Sequence, residues 1–213
     1  MKILLIAPQP FYQERGTPIA VRLLIETLCG AGHRLHLLTY HEGEDVTVPG
    51  LEIFRAAKPP GIGKVPIGFS WKKVVCDLFL SAKMTGLLRG NRYEVIPAVE
   101  ESIFPAAAAN LLVRSRLVYD MDSLLSEQIA DKWKSARLLL PLMTFFEKVA
   151  VRRADLVMPM CERLGRKAED FSPGKPVAVV EDIPLCENGE HAGGEDLRGA
   201  FDIKGVLALY VGN

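Results

Sequence analysis

The chain opens with an apolar strand, a polar turn and a helix: residues 2–32 are KILLIAPQPFYQERGTPIAVRLLIETLCGAG. Residues 3–7 predict a buried strand, and the apolar period from about Pro18 predicts a helix. A strand, a glycine turn and a helix N-terminus can bind phosphate or sugar phosphate, because the first helical N–H groups have no intrahelical partner. Gly16 would allow close backbone approach, Thr17 would cap the helix, and Pro18 suits its first position. A plain strand-to-helix connection explains the turn equally well.

The composition is that of an ordinary globular protein. Of 213 residues, 49% are hydrophobic and 24% are charged, which is enough for one domain with a sizeable core. Lys+Arg and Asp+Glu number 26 each, so no overall basic charge favours a nucleic-acid partner. No apolar run approaches the roughly 18 residues of a membrane span, and the N-terminus lacks a signal-peptide pattern. We therefore expect a cytoplasmic protein that is soluble or sits on the inner surface of a membrane.

The sequence predicts neither a metal nor a bound cofactor. Its cysteines are scattered, without a C-x-x-C or a paired histidine, which favours reduced thiols over a zinc site or a disulfide framework. Asp120 and Asp122 could form a carboxylate pair for a divalent metal, but they have no third ligand. Gly16 has no glycine partners, so the dinucleotide fingerprint G-x-G-x-x-G is absent.

Strands alternate with helices along residues 1–180. This spacing predicts right-handed β-α-β units and a doubly wound parallel sheet of about seven strands, with helices on both faces. Beyond the opening strand, the predicted strands are 33–40, 51–57, 93–99, 117–121, 156–160 and 177–180. The predicted helices between them are 69–89, 106–113, 123–133, a longer one around 138–149, and a short one after strand six.

Polar side chains follow several of these strands, at the sheet edge where ligands of parallel sheets bind. Glu100 follows the fourth strand, Asp120 and Asp122 end the fifth, and Glu162 follows the sixth. Carboxylates accept hydrogen bonds from sugar hydroxyls, so the set favours a polyhydroxylated ligand over a bare polyphosphate. The alternative is that several of these carboxylates cap the helices that follow them.

The composition changes near residue 186. Residues 1–185 form one predicted domain, and 186–205 are polar and glycine-rich, which is typical of a linker. Residues 206–213 then contain one more apolar strand, which we interpret as the first strand of a second domain. The alternative is a strand that returns to the first sheet.

An aromatic residue stands beside two lysines at the start of the second predicted helix. Trp71, Lys72 and Lys73 open it, and further basic residues follow as far as Arg92. Such a pattern is found in helices that lie at a membrane surface. An amphipathic helix with solvated lysines gives the same pattern, and this alternative is favoured.

Several segments together resemble group-1 (family 4) glycosyltransferases of the GT-B fold. They are ERGTPIAVRLLIETLCGAGHRLHLLTY, LVYDMDSLLSEQ, FFEKVAVRRADLVMPMCERL and the closing LYVGN. The resemblance covers essentially the whole chain, but only the N-terminal half of such an enzyme. It implies a Rossmann-like domain that binds a glycan or lipid-linked acceptor. The missing C-terminal domain would hold most of the nucleotide-sugar donor, so the 213-residue chain alone should be inactive.

The resemblance also implies roles for particular residues. Gly16 and Thr17 match the family loop near the donor phosphates and the acceptor, although that loop usually has two adjacent glycines. Asp122 stands where the family often has a histidine, and we expect it to be the catalytic polar contact. Substrate binding is expected of Gly16 and Thr17 and, from their positions at the strand ends rather than from the resemblance, of Glu100, Asp120 and Glu162. Transfer in this family normally retains the anomeric configuration and needs no metal.

Two other functional classes remain open from the sequence. One is half of a GT-B nucleotide-sugar epimerase, which would also act on sugar nucleotides. The other is a stand-alone, non-catalytic sugar-binding module, in which the last strand would join the first sheet.

Overall fold

The computed structural model describes residues 1–13, 16–65, 70–132, 138–181 and 197–206, and the chain divides into two compact units, Met1–Asp182 and Ile183–Asn213. The strands of the first unit are β1 (Lys2–Ile6), β2 (Arg34–Thr39), β3 (Leu51–Arg55), β4 (Val95–Val99), β5 (Arg116–Met121) and β6 (Leu156–Pro159). Its helices are α1 (Gly16–Gly30), α2 (Trp71–Gly90), α3 (Ile103–Val113), α4 (Leu125–Lys132), α5 (Leu140–Arg153) and α6 (Glu162–Phe171). A 3₁₀ turn, Glu100–Ser102, joins β4 to α3. The described part of the second unit contains a short helix, α7 (Leu197–Ala200).

The six strands form one sheet in the order β3-β2-β1-β4-β5-β6, and every neighbouring pair is parallel. The chain builds outward from β1 in one direction, then crosses over and builds outward from β4 in the other. This is the doubly wound arrangement that the alternation of strands and helices predicted. The reversal of strand order lies between β1 and β4, which is where such sheets bind ligands.

Helices cover both faces of the sheet, as expected. Leu4 and Ile6 of β1 belong to one core, which also contains buried side chains of α2, α3, α5 and α6. Ile3 and Leu5 point the other way and belong to a second core, which contains Val21 and Ile25 of α1. Alternate residues of one strand thus enter opposite cores, which explains why the strands are apolar without interruption.

The seventh predicted strand, 177–180, is not a full strand. Val177 forms a single parallel bridge with Val157 of β6, and the N–H of Val180 donates to the carbonyl of Pro159. A second bridge would need an N–H at residue 159, and proline has none. The segment therefore follows the sheet edge as an incompletely bonded strand, and within the described residues the sheet has six strands rather than about seven.

The first helix begins earlier than the sequence predicted. Gly16 is its first residue, so Thr17 lies inside the first turn and is not the N-cap. Residues 14 and 15 of the preceding turn lie outside the described residues. The same is true of 186–196 and 207–213, which hold most of the predicted linker and nearly all of the last predicted strand. The domain boundaries at 185 and 205 stay predictions.

The loops at the carboxyl ends of β1 and β2 are held together by one arginine. The guanidinium of Arg55, at the end of β3, donates to the carbonyls of Phe11 and Glu42 at 2.7 and 2.9 Å. It also donates to the carbonyl of Glu44 at 3.1 Å and to the carboxylate of Asp45 at 2.7 Å. This fork of donors holds Phe11 of the loop after β1 against residues 42–45 of the loop after β2.

Gly43 lies where these two loops touch. Its φ is +119°, and a Cβ on it would lie 2.0 Å from the carbonyl oxygen of Phe11. We expect Gly43→Ala to lower the free energy of unfolding by about 3 kcal/mol, because both the backbone strain and the overlap oppose it. Gly63→Ala is the control, since a Cβ there meets nothing within 4 Å. Urea unfolding of both variants tests this, and equal midpoints would contradict the close packing of the loops.

Candidate functional site

The start of α2 directs a lysine toward the carboxyl edge of the sheet. Ser70 caps the helix, and its side-chain oxygen accepts from the N–H of Lys73 at 3.2 Å. The ammonium of Lys73 lies 2.5 Å from a carboxylate oxygen of Glu101 and 3.6 Å from one of Glu100. Lys73 is therefore an ion-pair residue at the sheet edge, and the expectation that it is one of the solvated or membrane-facing lysines of α2 is wrong.

This ion pair is largely removed from water. The side chains of Lys73, Glu100 and Glu101 are only 15%, 19% and 16% exposed. Burial alone would lower the pKa of Lys73, but the carboxylates of Glu101 and Glu100 outweigh it and raise that pKa. Burial raises the pKa of Glu100, because Lys73 offsets only part of the cost of desolvating its charge.

Asp77 lies one turn further along α2 and adds a third carboxylate. The hydroxyl of Tyr40, a fully buried residue that follows β2, donates to its Oδ1. Burial raises the pKa of Asp77 to about 7, and the charge of Glu101 adds to this effect, while the hydrogen bond from Tyr40 and the charge of Lys73 oppose it. Asp77 therefore changes charge near neutral pH, as a group at a functional site often does.

A cavity of about 310 Å³ opens beside these charged groups. Lys73, Asp77 and Glu101 lie along it, and Ser81, Ser102 and Gln128 add polar atoms. The remaining walls are apolar and come from α2, α3 and α4: Val74, Leu78, Leu80, Phe104, Pro105 and Leu125. The site thus combines apolar walls with a few convergent polar groups, which is the usual character of a small-molecule pocket.

The helix α4, which supplies part of this wall, is held by a buried carboxylate. Glu147 of α5 is 1% exposed and accepts from the N–H and the hydroxyl of Ser126, at 2.8 and 2.7 Å. It thereby satisfies a donor in the first turn of α4 that has no intrahelical partner. Burial raises the pKa of Glu147, and the hydrogen bonds from Ser126 oppose that rise.

Lys73, Asp77, Glu100 and Glu101 form a charged cluster at this edge of the sheet. Of the residues predicted to bind substrate, Glu100 belongs to this charged cluster. It follows β4 directly and has φ +48°, in the left-handed region that non-glycine residues rarely occupy. Gly16 and Thr17 lie at the start of α1, beyond the end of β1. A Cβ on Gly16 would meet nothing within 4 Å, so the fold itself does not require glycine there.

The remaining predicted residues lie at the carboxyl ends of β5 and β6. Asp120 lies within β5, in register with Val99 of β4, and Asp122 directly follows this strand. Asp122 lies near enough to the buried Tyr119 to help raise its pKa, after the larger effects of burial and of other carboxylates. Glu162 is the exposed first residue of α6, and its neighbour Arg163 pairs with Glu127 of α4 at 2.9 Å.

The roles of four residues were not predicted from the sequence: Lys73, Asp77, Tyr40 and Glu147. The first two lie in a helix whose apolar period accounted for its pattern, so their charges looked like those of a solvated face. The sequence did contain one sign that Asp77 is not fully solvated. It directly follows the buried Cys76 and lies three residues before the buried Leu80, which places it beside the buried face of the helix. Its partner Tyr40, however, is 37 residues away in sequence.

Larger clefts, of about 560 and 550 Å³, lie at the opposite edge of the sheet. Residues near the amino ends of the strands line them, among them Lys2, Arg34 and Tyr93. Parallel sheets bind ligands beyond the carboxyl ends of their strands, so we place the candidate site at the smaller cavity, of about 310 Å³.

Within the described ranges, no three His, Cys, Asp or Glu side chains are grouped to hold a metal. No helix in these ranges is long and apolar enough to cross a membrane.

Comparison with known structures identifies the class of fold. Sucrose-phosphate synthase from Thermosynechococcus elongatus matches with a TM-score of 0.61 at 16% identity, over 85% of this chain and 48% of that chain. Anabaena HepE in complex with UDP-glucose matches with a TM-score of 0.52 at 19% identity, over 85% and 44%. Arabidopsis thaliana UGT89C1, complexed with UDP-L-rhamnose, matches with a TM-score of 0.55 at 12% identity, over 86% and 52%. The chain therefore has the Rossmann-like fold of one half of a GT-B protein and spans about half of each of these structures.

The family follows from the sequence itself. The profile of the glycosyl transferase 4-like domain matches residues 15–181, which is most of the chain. The chain belongs to this family, as the resemblance had indicated. A comparison with curated protein sequences gave no significant match.

The pH dependence of stability tests the environment of Asp77. Its pKa is about 7 in the folded state and about 3.9 in an unfolded chain, so the folded protein binds more protons between these values. Asp77 should therefore contribute a fall in the free energy of unfolding as pH rises from 4 to 7. Asp77→Asn keeps the acceptor for Tyr40 and should remove about 3 kcal/mol of this fall.

Urea unfolding at several pH values measures this effect. Asp170→Asn, an amide substitution at an exposed position of α6, is the control and should follow the wild-type profile. If the Asp77→Asn and wild-type profiles run parallel from pH 4 to 8, Asp77 is not buried among carboxylates as described.

Proposed function

We propose that this chain is the acceptor-binding N-terminal domain of a glycosyltransferase. The whole enzyme would transfer a hexosyl-type sugar from a nucleotide-sugar donor to a glycan or lipid-linked acceptor, with retention at the anomeric carbon. The observation that carries this proposal is the family match over residues 15–181, on a sheet whose carboxyl edge bears a cavity with convergent polar groups.

The donor and the second domain are supported by the structures of similar fold. Two of them hold UDP-glucose and UDP-L-rhamnose, which supports a nucleotide sugar as co-substrate. We propose that no further cofactor is needed. This chain spans about half of those proteins. We therefore propose that a C-terminal domain of the same protein completes the donor site and that the chain alone does not catalyse transfer.

The positions of the predicted residues suggest their roles. Gly16 and Thr17 would face the donor phosphates and the acceptor, since the α1 N-terminus offers N–H groups to an anion. Asp122 would accept a hydrogen bond from a sugar hydroxyl, with Asp120 and Glu100 beside it at the same edge. Glu162, exposed at the start of α6, would be an outer contact of the same crevice.

A contact with the cytoplasmic surface of a membrane is a second part of the proposal. Trp71 is 67% exposed at the start of α2, and Lys72 beside it is exposed too. An aromatic ring and an ammonium suit the interface of an anionic bilayer. Co-sedimentation with vesicles containing anionic lipid tests this contact: binding that weakens in Trp71→Ser supports it, and equal recovery of both proteins in the supernatant contradicts it.

The activity is tested on the natural protein that carries this chain together with whatever sequence follows residue 213. We expect it to consume a nucleotide sugar in the presence of acceptor and to give a product whose anomeric configuration, measured by NMR, equals that of the donor. Gly16→Ala should lower this rate roughly tenfold or more, because a methyl group would displace the bound substrate.

Gly30→Ala, at the other end of the same helix, is the matched control. A Cβ at either glycine meets nothing within 4 Å, so neither substitution should destabilise the fold, and only Gly16→Ala should slow transfer. Interconversion of nucleotide sugars without acceptor would favour the epimerase alternative. Sugar transfer by residues 1–213 alone would contradict the division of the site between two domains.

A further inference from the structure

We propose that the cavity between α2, α3 and α4 binds the apolar body of the acceptor, and that Asp77 accepts a hydrogen bond from an uncharged hydroxyl of that acceptor. This inference rests on the proposed function and names its acceptor class: a hydroxylated amphiphile with an acyl, prenyl or aryl portion and no anionic group at the cavity.

The apolar walls argue for an apolar occupant. Val74 and Leu78 of α2 lie at the cavity and are 43% and 65% exposed. Phe104, on α3, and Leu125, at the start of α4, complete the apolar lining. When an apolar group displaces water from the exposed aliphatic side chains around a cavity, the free energy of the system falls, so such a cavity favours an apolar ligand.

The charges of the cluster argue against an anion. Among the described residues that line the cavity, Lys73 is the one cation, and its ammonium already lies 2.5 Å from Glu101 and 3.6 Å from Glu100. Asp77 adds a third carboxylate, so negative charge is in excess whenever Asp77 is ionised. A phosphate or carboxylate on the ligand would meet this excess where water screens it poorly.

Asp77 has the capacity to bind a hydroxyl. An ionised carboxylate has two oxygens and about four acceptor positions, and Tyr40 occupies one of them at Oδ1. Asp77 also lines the cavity, so a donor inside it can approach the carboxylate. A sugar or lipid hydroxyl is such a donor, and it brings no charge with it.

The volume limits how much of the acceptor enters. Drug-sized ligands occupy pockets of roughly 300–1,000 Å³, and about 310 Å³ lies at the lower end of that range. The cavity would therefore hold one end of a chain or one ring system, while the rest of the acceptor lies outside it.

Isothermal titration calorimetry at pH 8, below micelle-forming concentrations, tests the proposal with three probes. They are n-octyl β-D-glucoside, n-octyl phosphate with the same tail, and glucose without a tail. We expect saturable binding of the glucoside, binding of the phosphate weaker by roughly tenfold or more, and no heat from glucose. Equal affinity for glucoside and phosphate would overturn the charge argument, and binding of neither would overturn the site.

Two exposed leucines form a matched pair of positions for locating the binding site. Leu78 lines the cavity and is 65% exposed, whereas Leu112 of α3 does not line this cavity and is 88% exposed. Leu78→Asn should weaken the glucoside about fivefold or more, and Leu112→Asn should leave it unchanged. Equal effects would place the amphiphile elsewhere on the surface.

Asp77→Asn tests the polar end of the cavity. Removing one negative charge should lower the ratio of the affinity for glucoside to the affinity for phosphate roughly tenfold. An unchanged ratio would contradict the role of Asp77.

Failure of this inference and failure of the proposed function give different results. Amphiphile binding without sugar transfer by the whole protein would reject the transferase, whereas sugar transfer unaffected by Leu78→Asn would reject the cavity as acceptor site.

Discussion

The parallel sheet places every strand's carboxyl end at one edge, and the candidate site depends on this geometry. Residues that follow β2, β4 and β5 lie at this edge although they are far apart in sequence. Tyr40, Glu101 and Asp122 follow three different strands, and the parallel pairing of the sheet places all three at the same edge. Because the strands are buried on both faces, a shift of register would exchange the two cores as well as disperse the site.

The loops at this edge are fixed by polar contacts that are largely shielded from water. Arg55 joins the loops after β1 and β2, Glu147 holds the start of α4, and Lys73 connects α2 to the turn after β4. Each contact satisfies a charge or a backbone group that burial would otherwise leave unpaired, which is why its loss would cost more than that of a surface pair. The cavity walls are therefore set before any ligand arrives.

The element order, the parallel sheet and the edge that carries the site could be predicted from the sequence, because apolar strands alternating with helices permit few other arrangements. The sequence of 177–180 alone does not show that this seventh strand is incomplete, because the cause lies in the neighbouring strand β6. Pro159 of β6 lacks the N–H that a second bridge with 177–180 requires. The start of α1 was misplaced by one or two residues, which local propensity rarely resolves.

The charged cluster could not be predicted for a different reason. Lys73 and Asp77 look like solvated residues of an amphipathic helix, and only tertiary structure shows their partners, of which Tyr40 is 37 residues from Asp77. The position of Glu100 after a strand predicts that it lies at the sheet edge, but its ion pair with Lys73 joins residues at opposite ends of the segment that contains α2 and β4. Sequence position thus located the edge of the sheet, whereas the chemistry of the site depends on contacts between distant segments.

A crystal structure of the natural protein with a nucleotide sugar and a hydroxylated amphiphile would test the central claim most directly. Our account predicts that the amphiphile's apolar part lies between α2 and α4, with a hydroxyl within hydrogen-bonding distance of Asp77, and that the donor lies beyond the carboxyl ends of β1 and β5. An amphiphile bound at the amino edge of the sheet, with the α2–α4 cavity filled by the protein's own chain, would contradict it.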